Sequence, residues 1–124
     1  TATPKSLQPK HLYDARGSAL FEEITRTPEY YLTRLEAEIM ARHGDRLRSQ
    51  LGAHLTVIEL GAGAEAKALD LLQHLERPRA WLPIDVSVEH LRQAVHRFRD
   101  LMPEVAARAY AGDFMRQIEI ALPA

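Results

Sequence analysis

The first feature of the sequence that could bind a ligand is a pair of glycines within a run of small residues. They are Gly61 and Gly63, separated by Ala62, in the stretch VIELGAGAEAKALDLL at 57–72, which passes from an apolar run into a helical pattern. A strand that turns directly into a helix presents unpaired backbone N–H groups and the positive end of the helix dipole, so ligands collect there. The glycines permit the tight turn and keep side chains out of the approach. The loop therefore predicts a ligand site, although a packing turn would have the same sequence.

Acidic residues follow at the ends of the next two predicted strands. Asp85 lies about 20 residues after the loop, where a carboxylate can accept hydrogen bonds from both hydroxyls of a ribose. Its alternative role is to cap the following helix, which Ser87 could do by itself. Asp113 and Phe114 combine an acceptor for an exocyclic amine with an apolar ring that can lie beside a base, although the pair alone also suits a turn. Together these positions predict a nucleoside pocket.

The loop also indicates which nucleoside ligand fits. The dinucleotide pattern G-x-G-x-x-G is matched at Gly61 and Gly63 but has Ala66 in its third place, and Glu65 adds a carboxylate that would repel a pyrophosphate. A dinucleotide such as NAD is therefore disfavoured. Because the loop also lacks a phosphate-binding lysine and threonine, S-adenosylmethionine is favoured over ATP.

A general base and a metal site are not predicted. None of the histidines has the spacing of metal ligands or of a catalytic triad, so each is interpreted as a surface or packing residue. The adjacent Glu22 and Glu23 are interpreted as part of a solvated helix face. The histidines are His11, His43, His54, His74, His90 and His96.

Composition narrows the class of protein. The chain has 124 residues, of which 46% are apolar, enough for one core. A formal net charge of −1 gives no general attraction for nucleic acid or an anionic membrane. The sequence has no cysteine, no signal-peptide pattern and no apolar stretch near the roughly 18 residues of a membrane span. We expect a cytoplasmic domain, and the start at Thr1 suggests processing or excision from a longer chain.

The amino-terminal third is predicted to be an extended lead followed by helices. Residues 1–12 contain two prolines among polar residues, which favours an extended conformation. A short helix is predicted over 18–26, capped by Ser18. A longer helix is predicted over 33–51, capped by Thr33. Its middle is weakened by Gly44, and Gly52 ends it.

The rest of the chain alternates between apolar runs and helical patterns. Strands joined in this order by helices form a parallel sheet through right-handed crossovers, so the predicted fold class is α/β. The first strand reads as buried on both faces. Pro83 indicates an edge, a bulge or an early end in the second, and Ser87 caps the helix that follows. The predicted elements are a strand at 55–60, a helix at 65–75, a strand at 80–86, a helix at 88–101 with Leu91, Val95, Phe98 and Leu101 as its apolar stripe, and a strand at 107–114.

Four blocks of sequence resemble a known family. They are LYDARGSALFEEITRTPEYYLTRLEAEI at 12–39, ELGAGAEAK at 59–67, PIDVS at 83–87 and GDF at 112–114, and in this order they resemble the histidine-specific, S-adenosylmethionine-dependent methyltransferases. That family includes the enzyme that trimethylates the α-amine of histidine in ergothioneine biosynthesis. The resemblance implies a Rossmann-like class I methyltransferase half-sheet of three parallel strands preceded by amino-terminal helices. Residues 1–52 would form the lead and helices on the lid side, and 53–124 the first half of the S-adenosylmethionine-binding domain.

The resemblance also implies roles for individual residues. Tyr30 and the loop at Gly61, Ala62 and Gly63 would contact the methyl donor, and Lys67 could reach its carboxylate. Asp85 would hold the ribose of the donor. Asp113 and Phe114 would hold its adenine. Tyr13 and Phe21 would help to enclose the imidazole-bearing substrate. Without the resemblance, Lys67 would read as a solvated helix lysine, and Tyr30 and Tyr31 as packing residues with their hydroxyls at the surface.

The chain departs from the family pattern in two ways. Alanines at 62, 64 and 68 replace residues that are commonly serine or threonine, which leaves fewer hydroxyls for the methionine end of the donor. A full methyltransferase sheet has about seven strands, so the fold is expected to be incomplete and to lack the residues that hold the substrate's amine and carboxylate. The expected function is N-methylation of histidine or a related small amino acid, with a donor site but no complete acceptor site. The alternative is a non-catalytic interaction or regulatory domain, and an open sheet edge suggests a homodimer.

Overall fold

The computed structural model describes residues 5–122, in which a lead and two helices precede a small parallel sheet. Pro9–Leu12 forms one turn of 3-10 helix, so the prediction of an extended lead is wrong at that turn, and residues 1–4 of the lead lie outside the described residues. Helix α1 spans Ala15–Thr25 and helix α2 spans Leu32–Leu51.

Helix α1 begins about one turn earlier than predicted. The side chain of Asp14 caps it, since its Oδ1 accepts a hydrogen bond from the backbone N–H of Gly17 at 2.8 Å. Ser18 is therefore a buried residue inside the helix and not its cap. Asp14 and Ser18 are both residue types that cap helices, and the apolar pattern by itself does not distinguish them.

Helix α2 was predicted correctly in extent, but not in its cap. It begins after Tyr31, which makes no capping side-chain hydrogen bond, and Thr33 lies within its first turn. Gly52 ends it with a φ of 76°, a left-handed conformation that favours glycine. Gly44 is buried, and the helix continues through it.

The second half of the chain forms the predicted parallel sheet. Strand β1 (Thr56–Leu60) pairs in parallel with β2 (Ala80–Asp85), and β2 pairs in parallel with both β3 (Ala106–Ala107) and β4 (Tyr110–Ala111), which confirms the α/β half-sheet preceded by helices. The third predicted strand is present as two short segments. The elements are β1 (Thr56–Leu60), α3 (Ala66–Leu72), β2 (Ala80–Asp85), α4 (Val88–Leu101), β3 (Ala106–Ala107) and β4 (Tyr110–Ala111).

Pro83 lies in the central strand, so of the predicted alternatives, an edge, a bulge or an early end, the edge is wrong. It lies opposite Glu59 of β1. On the other side of β2, residues 80–81 pair with β3 and residues 84–85 pair with β4, so Pro83 falls in the gap between the two pairings. A residue without an N–H is tolerated there because the ladder is already interrupted.

The core lies where α4 covers the centre of the sheet. Trp81 of β2 and Phe98 of α4 are fully buried, with ring centroids 4.6 Å apart. Burial of side chains of this size contributes about 1.5 to 3 kcal/mol each. Leu91, Val95 and Phe98 were correctly predicted to face the core, but Leu101 is 66% exposed. Ala94 is the fourth buried residue of this helix.

The first strand is not buried on both faces as predicted. The side chains of Ile58 and Leu60 are 46% and 58% exposed. Within residues 5–122, β1 pairs with β2 alone and is an edge of the sheet. The apolar run therefore marks a surface that the described part of the chain leaves open.

Candidate functional site

One large cavity lies at the carboxyl ends of the strands, between the sheet and α1. It has a volume of about 960 Å³ and is formed by the ends of β1 and β2, the loop after β4 and the inner side of α1. The strand ends therefore face one shared space, as the sequence predicted. Every residue predicted to bind donor or substrate lines it: Tyr13, Phe21, Tyr30, Gly61, Ala62, Gly63, Lys67, Asp85, Asp113 and Phe114.

The glycine loop is fixed to the end of the neighbouring strand. The backbone N–H groups of Gly61 and Ala62 both donate to the carbonyl oxygen of Ile84, at 2.8 and 3.2 Å. Gly61 and Gly63 have φ values of 68° and 57°. A Cβ on Gly61 would lie 3.5 Å from the Phe114 ring, an ordinary contact, so the backbone conformation requires glycine there rather than a lack of space.

The Asp85 carboxylate bridges the loop and helix α4. Its Oδ2 accepts from the N–H of Gly63 at 3.1 Å, and its Oδ1 accepts from the N–H of Ser87 at 2.9 Å. Ser87 occupies the N-cap position as predicted, but its own side chain makes no capping hydrogen bond. Asp85 thus supports the start of α4 and also lines the cavity. Each carboxylate oxygen has capacity for a further hydrogen bond from a ligand hydroxyl.

Asp113 and Phe114 lie in a turn directly after β4. The Oδ1 atom of Asp113 accepts from the N–H of Met115 at 3.0 Å, and its carbonyl accepts from the N–H of Arg116 at 2.8 Å. The turn that the sequence alone suggested is therefore present, and both side chains also line the cavity. Phe114 is 44% exposed, so part of its side chain is accessible to a ligand in the cavity.

Three aromatic rings, one on α1 and one on either side of it in the chain, form one wall of the cavity. Phe21 packs edge to face against Tyr13, with centroids 6.0 Å apart, and against Tyr30, with centroids 5.8 Å apart. Tyr30 follows a turn whose carbonyls at Thr27 and Pro28 accept hydrogen bonds from the Arg34 guanidinium at 3.0 and 2.5 Å. The wall is thus a packed unit, held from α2.

Two charged groups on the sheet side also line the cavity. Lys67, in the first turn of α3, places its Nζ 2.7 Å from the Oε2 of Glu36 on α2. Glu59 of β1 accepts a hydrogen bond from the indole of Trp81 at 2.9 Å. Burial raises the pKa of Glu59 above its ordinary value. The hydrogen bond from Trp81 and the positive charge of Lys67 lower this pKa, and the negative charge of Asp85 raises it further. Glu59 was not predicted as a site residue; its signal in the sequence is a single carboxylate within an apolar run.

Glu65 does not face the cavity, which corrects the argument against a dinucleotide. Its neighbours Ala64 and Ala66 line the cavity, whereas the Glu65 carboxylate is bound by Arg97 of α4 at 2.7 and 2.9 Å. Its charge is neutralised there and would not repel a pyrophosphate in the loop. Ala66 remains the departure from the dinucleotide pattern.

Glu22 and His90 are lining residues that sequence reasoning missed. Glu22 was interpreted as part of a solvated face, but its Oε1 is buried and lies 3.0 Å from His90 Nε2, an ion pair when the imidazole is protonated. His90, interpreted as a surface or packing residue, has a side chain only 11% exposed. Their separation in sequence gives no local signal, because α1 and α4 meet only in the fold.

The described residues contain neither a cluster of metal ligands nor a helix that could span a membrane. Within residues 5–122, no group of three or more histidine, aspartate or glutamate side chains is arranged to hold a metal ion. In the same residues, each helix is too short or too polar to cross a membrane.

Comparison with known proteins agrees with the geometry of the cavity. Residues 1–124 match the family model described as histidine-specific methyltransferase, SAM-dependent. The chain is 43% identical over 117 residues to a histidine N-alpha-methyltransferase of Mycolicibacterium smegmatis. It is 42% identical over 115 residues to the protein of the same name in Mycobacterium tuberculosis.

The matches cover most of this chain but a minor part of its relatives. They span 92% and 90% of the chain, but 36% of the length of each of the two bacterial proteins. Ergothioneine biosynthesis protein 1 of Neurospora crassa is 35% identical over 95 residues, which are 74% of this chain and 11% of that protein. The chain thus spans about a third of the length of the two bacterial relatives.

Proposed function

The chain belongs to the histidine-specific, S-adenosylmethionine-dependent methyltransferase family, and we propose that it carries the methyl-donor site of an enzyme that methylates the α-amine of histidine or a related amino acid. The observation that supports this best is the meeting of three strand ends at one cavity, with Asp85 fixed between the glycine loop and α4. The acceptor site is proposed to be only partly present, as the aromatic wall of Tyr13 and Phe21.

The cavity suits S-adenosylmethionine in size and in chemistry. A volume of about 960 Å³ exceeds what a single nucleoside needs and leaves room for its amino-acid end. In this proposal Asp85 accepts from the ribose hydroxyls, Asp113 accepts from the adenine amine, and Phe114 lies beside the base. Tyr30 and the loop at Gly61, Ala62 and Gly63 contact the donor, and Lys67 binds its carboxylate.

The protein's part in catalysis is mainly to place the reactants and exclude water. When bound, S-adenosylmethionine supplies an electrophilic methyl group on a sulfonium, and a neutral amine attacks it in line. The aromatic wall would orient the acceptor and remove water from this space. The partly buried carboxylate of Glu59 places negative charge beside the region of the cationic donor. We assign no general base for the proton that the amine must lose.

Titration calorimetry with S-adenosylhomocysteine tests the donor site. We expect binding by the full chain, and we expect Asp85→Asn to weaken it by about tenfold or more, because one good charged acceptor is lost. Asp100→Asn is the matched control: it lies on α4 and pairs with His96 on the exposed surface, away from the cavity. Absence of heat at millimolar ligand would refute the proposal. Titration with NAD in parallel tests the dinucleotide alternative.

A second candidate function is a non-catalytic interaction domain that associates through β1. The exposed Ile58 and Leu60 on an edge strand favour this, since such an edge can pair with a second copy. Light scattering would show a stable dimer that does not depend on ligand and that Ile58→Lys disrupts. A monomer that binds S-adenosylhomocysteine would exclude this candidate. A cytoplasmic location and the lack of nucleic-acid or membrane partners remain predictions from sequence.

A further inference from the structure

Arg97 of α4 binds both carboxylate oxygens of Glu65 through one edge of its guanidinium. Its Nε donates to Oε1 at 2.7 Å, and its Nη2 donates to Oε2 at 2.9 Å. A two-point contact of this kind fixes the orientation of both groups, which a single ion pair does not. The Glu65 side chain is only 14% exposed, so the pair is partly shielded from water. The contact joins two elements that are 32 residues apart in the sequence.

The position of Glu65 gives this contact its importance. Glu65 directly follows the glycine loop and directly precedes α3, and its neighbours Ala64 and Ala66 line the cavity. The other end of the loop is held by the Ile84 carbonyl and the Asp85 carboxylate. The loop is therefore fixed at both ends by the same unit, β2 and the helix that follows it.

The charges around the pair support a persistent contact. Burial alone would raise the pKa of Glu65, but the hydrogen bonds and charge of Arg97, together with Glu65's own backbone N–H and the charge of His90, lower it below its ordinary value. Glu65 in turn raises the pKa of Arg97. Glu22, on α1, adds a second negative charge near the guanidinium. Both partners are therefore charged at neutral pH.

We propose that Arg97 is a positioning residue for the donor-binding loop, which acts by holding Glu65 and so keeps the loop's backbone and the start of α3 in place beneath the donor. This inference rests on the proposed function and deepens it. Arg97 does not line the donor cavity, and its direct hydrogen bonds to the loop region are those to Glu65. We refer to the contact between Arg97 and Glu65 as the clamp; it adjoins a loop composed of glycine and alanine.

Calorimetry with S-adenosylhomocysteine on the full chain tests the clamp. We expect Arg97→Ala and Glu65→Gln each to weaken binding by about tenfold, and the double variant to be no weaker than either single variant, because the two residues act as one unit. Arg97→Lys should fall between Arg97→Ala and the unchanged chain. Arg92→Ala, an exposed arginine on the same helix, is the control and should bind as the unchanged chain does. Binding by Arg97→Ala within twofold of the unchanged chain would overturn the inference and leave the proposed function standing.

Hydrogen exchange tests the same inference without ligand. The Gly63 amide donates to Asp85 and should be protected; in Arg97→Ala its exchange should accelerate by about tenfold, while the amide of Leu82 in the central strand stays unchanged. If the unchanged chain fails to bind S-adenosylhomocysteine, the proposed function fails and this measurement still decides the clamp. Equal Gly63 exchange in Arg97→Ala and Arg92→Ala would overturn it.

Discussion

The indole of Trp81 donates a hydrogen bond to the carboxylate of Glu59 at 2.9 Å, across the pair of strands β1 and β2. Trp81 is fully buried against Phe98, whereas Glu59 lines the donor cavity. The hydrogen bond therefore connects the core to the wall of the site. It also leaves a carboxylate in a partly buried position, where burial raises its pKa. Such a group stabilises a cationic ligand but weakens the ligand-free fold.

We predict that Glu59→Gln stabilises the ligand-free protein at neutral pH. The pKa of Glu59 is higher in the folded state than in the unfolded state. The stability that this difference contributes is therefore fully present below the unfolded-state pKa, and it is lost as the pH rises through the folded-state pKa. The amide oxygen of glutamine can still accept from Trp81 and carries no charge. In thermal unfolding from pH 4 to 8, Glu59→Gln should have a higher midpoint temperature than the unchanged chain at pH 7. Its midpoint should also fall less steeply as the pH rises above the unfolded-state pKa of Glu59. Glu104→Gln, an exposed control, should follow the unchanged chain, and a lower midpoint for Glu59→Gln at pH 7 would contradict the prediction.

We predict that Arg34→Ala loosens the turn that carries Tyr30. The guanidinium holds the carbonyls of Thr27 and Pro28, and without it these carbonyls lose their charged donor. Tryptic cleavage after Arg26, one residue before the turn, should become about tenfold faster because local opening costs less. Arg42→Ala is the control, since Arg42 lies on the same helix and pairs only loosely with Glu38, at 3.6 Å. Equal cleavage rates in the two variants would show that the Arg34 guanidinium does not hold the turn.

The order of the elements could be predicted from sequence because periodicity is a local property. The loop at Gly61 and the acids at the ends of the next two strands were placed correctly, since the carboxyl ends of parallel strands must meet at one edge. The start of α1 could not be predicted from sequence, because Asp14 and Ser18 are both good cap types; in the structure Asp14 is the cap. Pro83 left an edge, a bulge or an early strand end as alternatives, because the split pairing of β3 and β4 has no signature in the sequence of β2.

The parts of the site that could not be predicted depend on contacts between distant elements. Glu65 was interpreted as a charge inside the loop, because sequence shows its place along the chain but not that Arg97 lies 32 residues later on the adjacent helix. The burial of Glu22 likewise depends on His90. A charged residue on a helix reads as solvated until a partner from another element covers it.

We predict that Gly44→Ala destabilises the protein although alanine is the better helix former. Gly44 is buried in α2, and a Cβ added there would overlap the imidazole of His74. The overlap should cost about 1 to 3 kcal/mol, more than the gain of roughly 1 kcal/mol in helix propensity. In a His74→Ala background the overlap is gone, so Gly44→Ala should become stabilising. Chemical denaturation measures both effects, and destabilisation of equal size in the two backgrounds would disprove the explanation.

We predict that Lys67→Ala weakens binding of S-adenosylhomocysteine but not of methylthioadenosine, which has no amino-acid end. The ion pair between Lys67 and Glu36 is 2.7 Å long, but both side chains are more than half exposed, so the pair contributes little to stability and the melting temperature should hardly change. If Lys67 binds the ligand carboxylate, its loss should cost about tenfold in affinity for the first ligand alone.

Glu36→Gln separates this role from a purely structural one. Glu36 and the ligand carboxylate would share one ammonium group and repel each other, so removal of the Glu36 charge should strengthen S-adenosylhomocysteine binding by about two- to threefold. Glu38→Gln on the same helix, whose side chain is 59% exposed, is the matched control. Weaker binding of S-adenosylhomocysteine by Glu36→Gln would mean that Glu36 supports Lys67 rather than competing for it. Equal loss of both ligands in Lys67→Ala would mean that Lys67 acts on the fold of the cavity and not on the carboxylate.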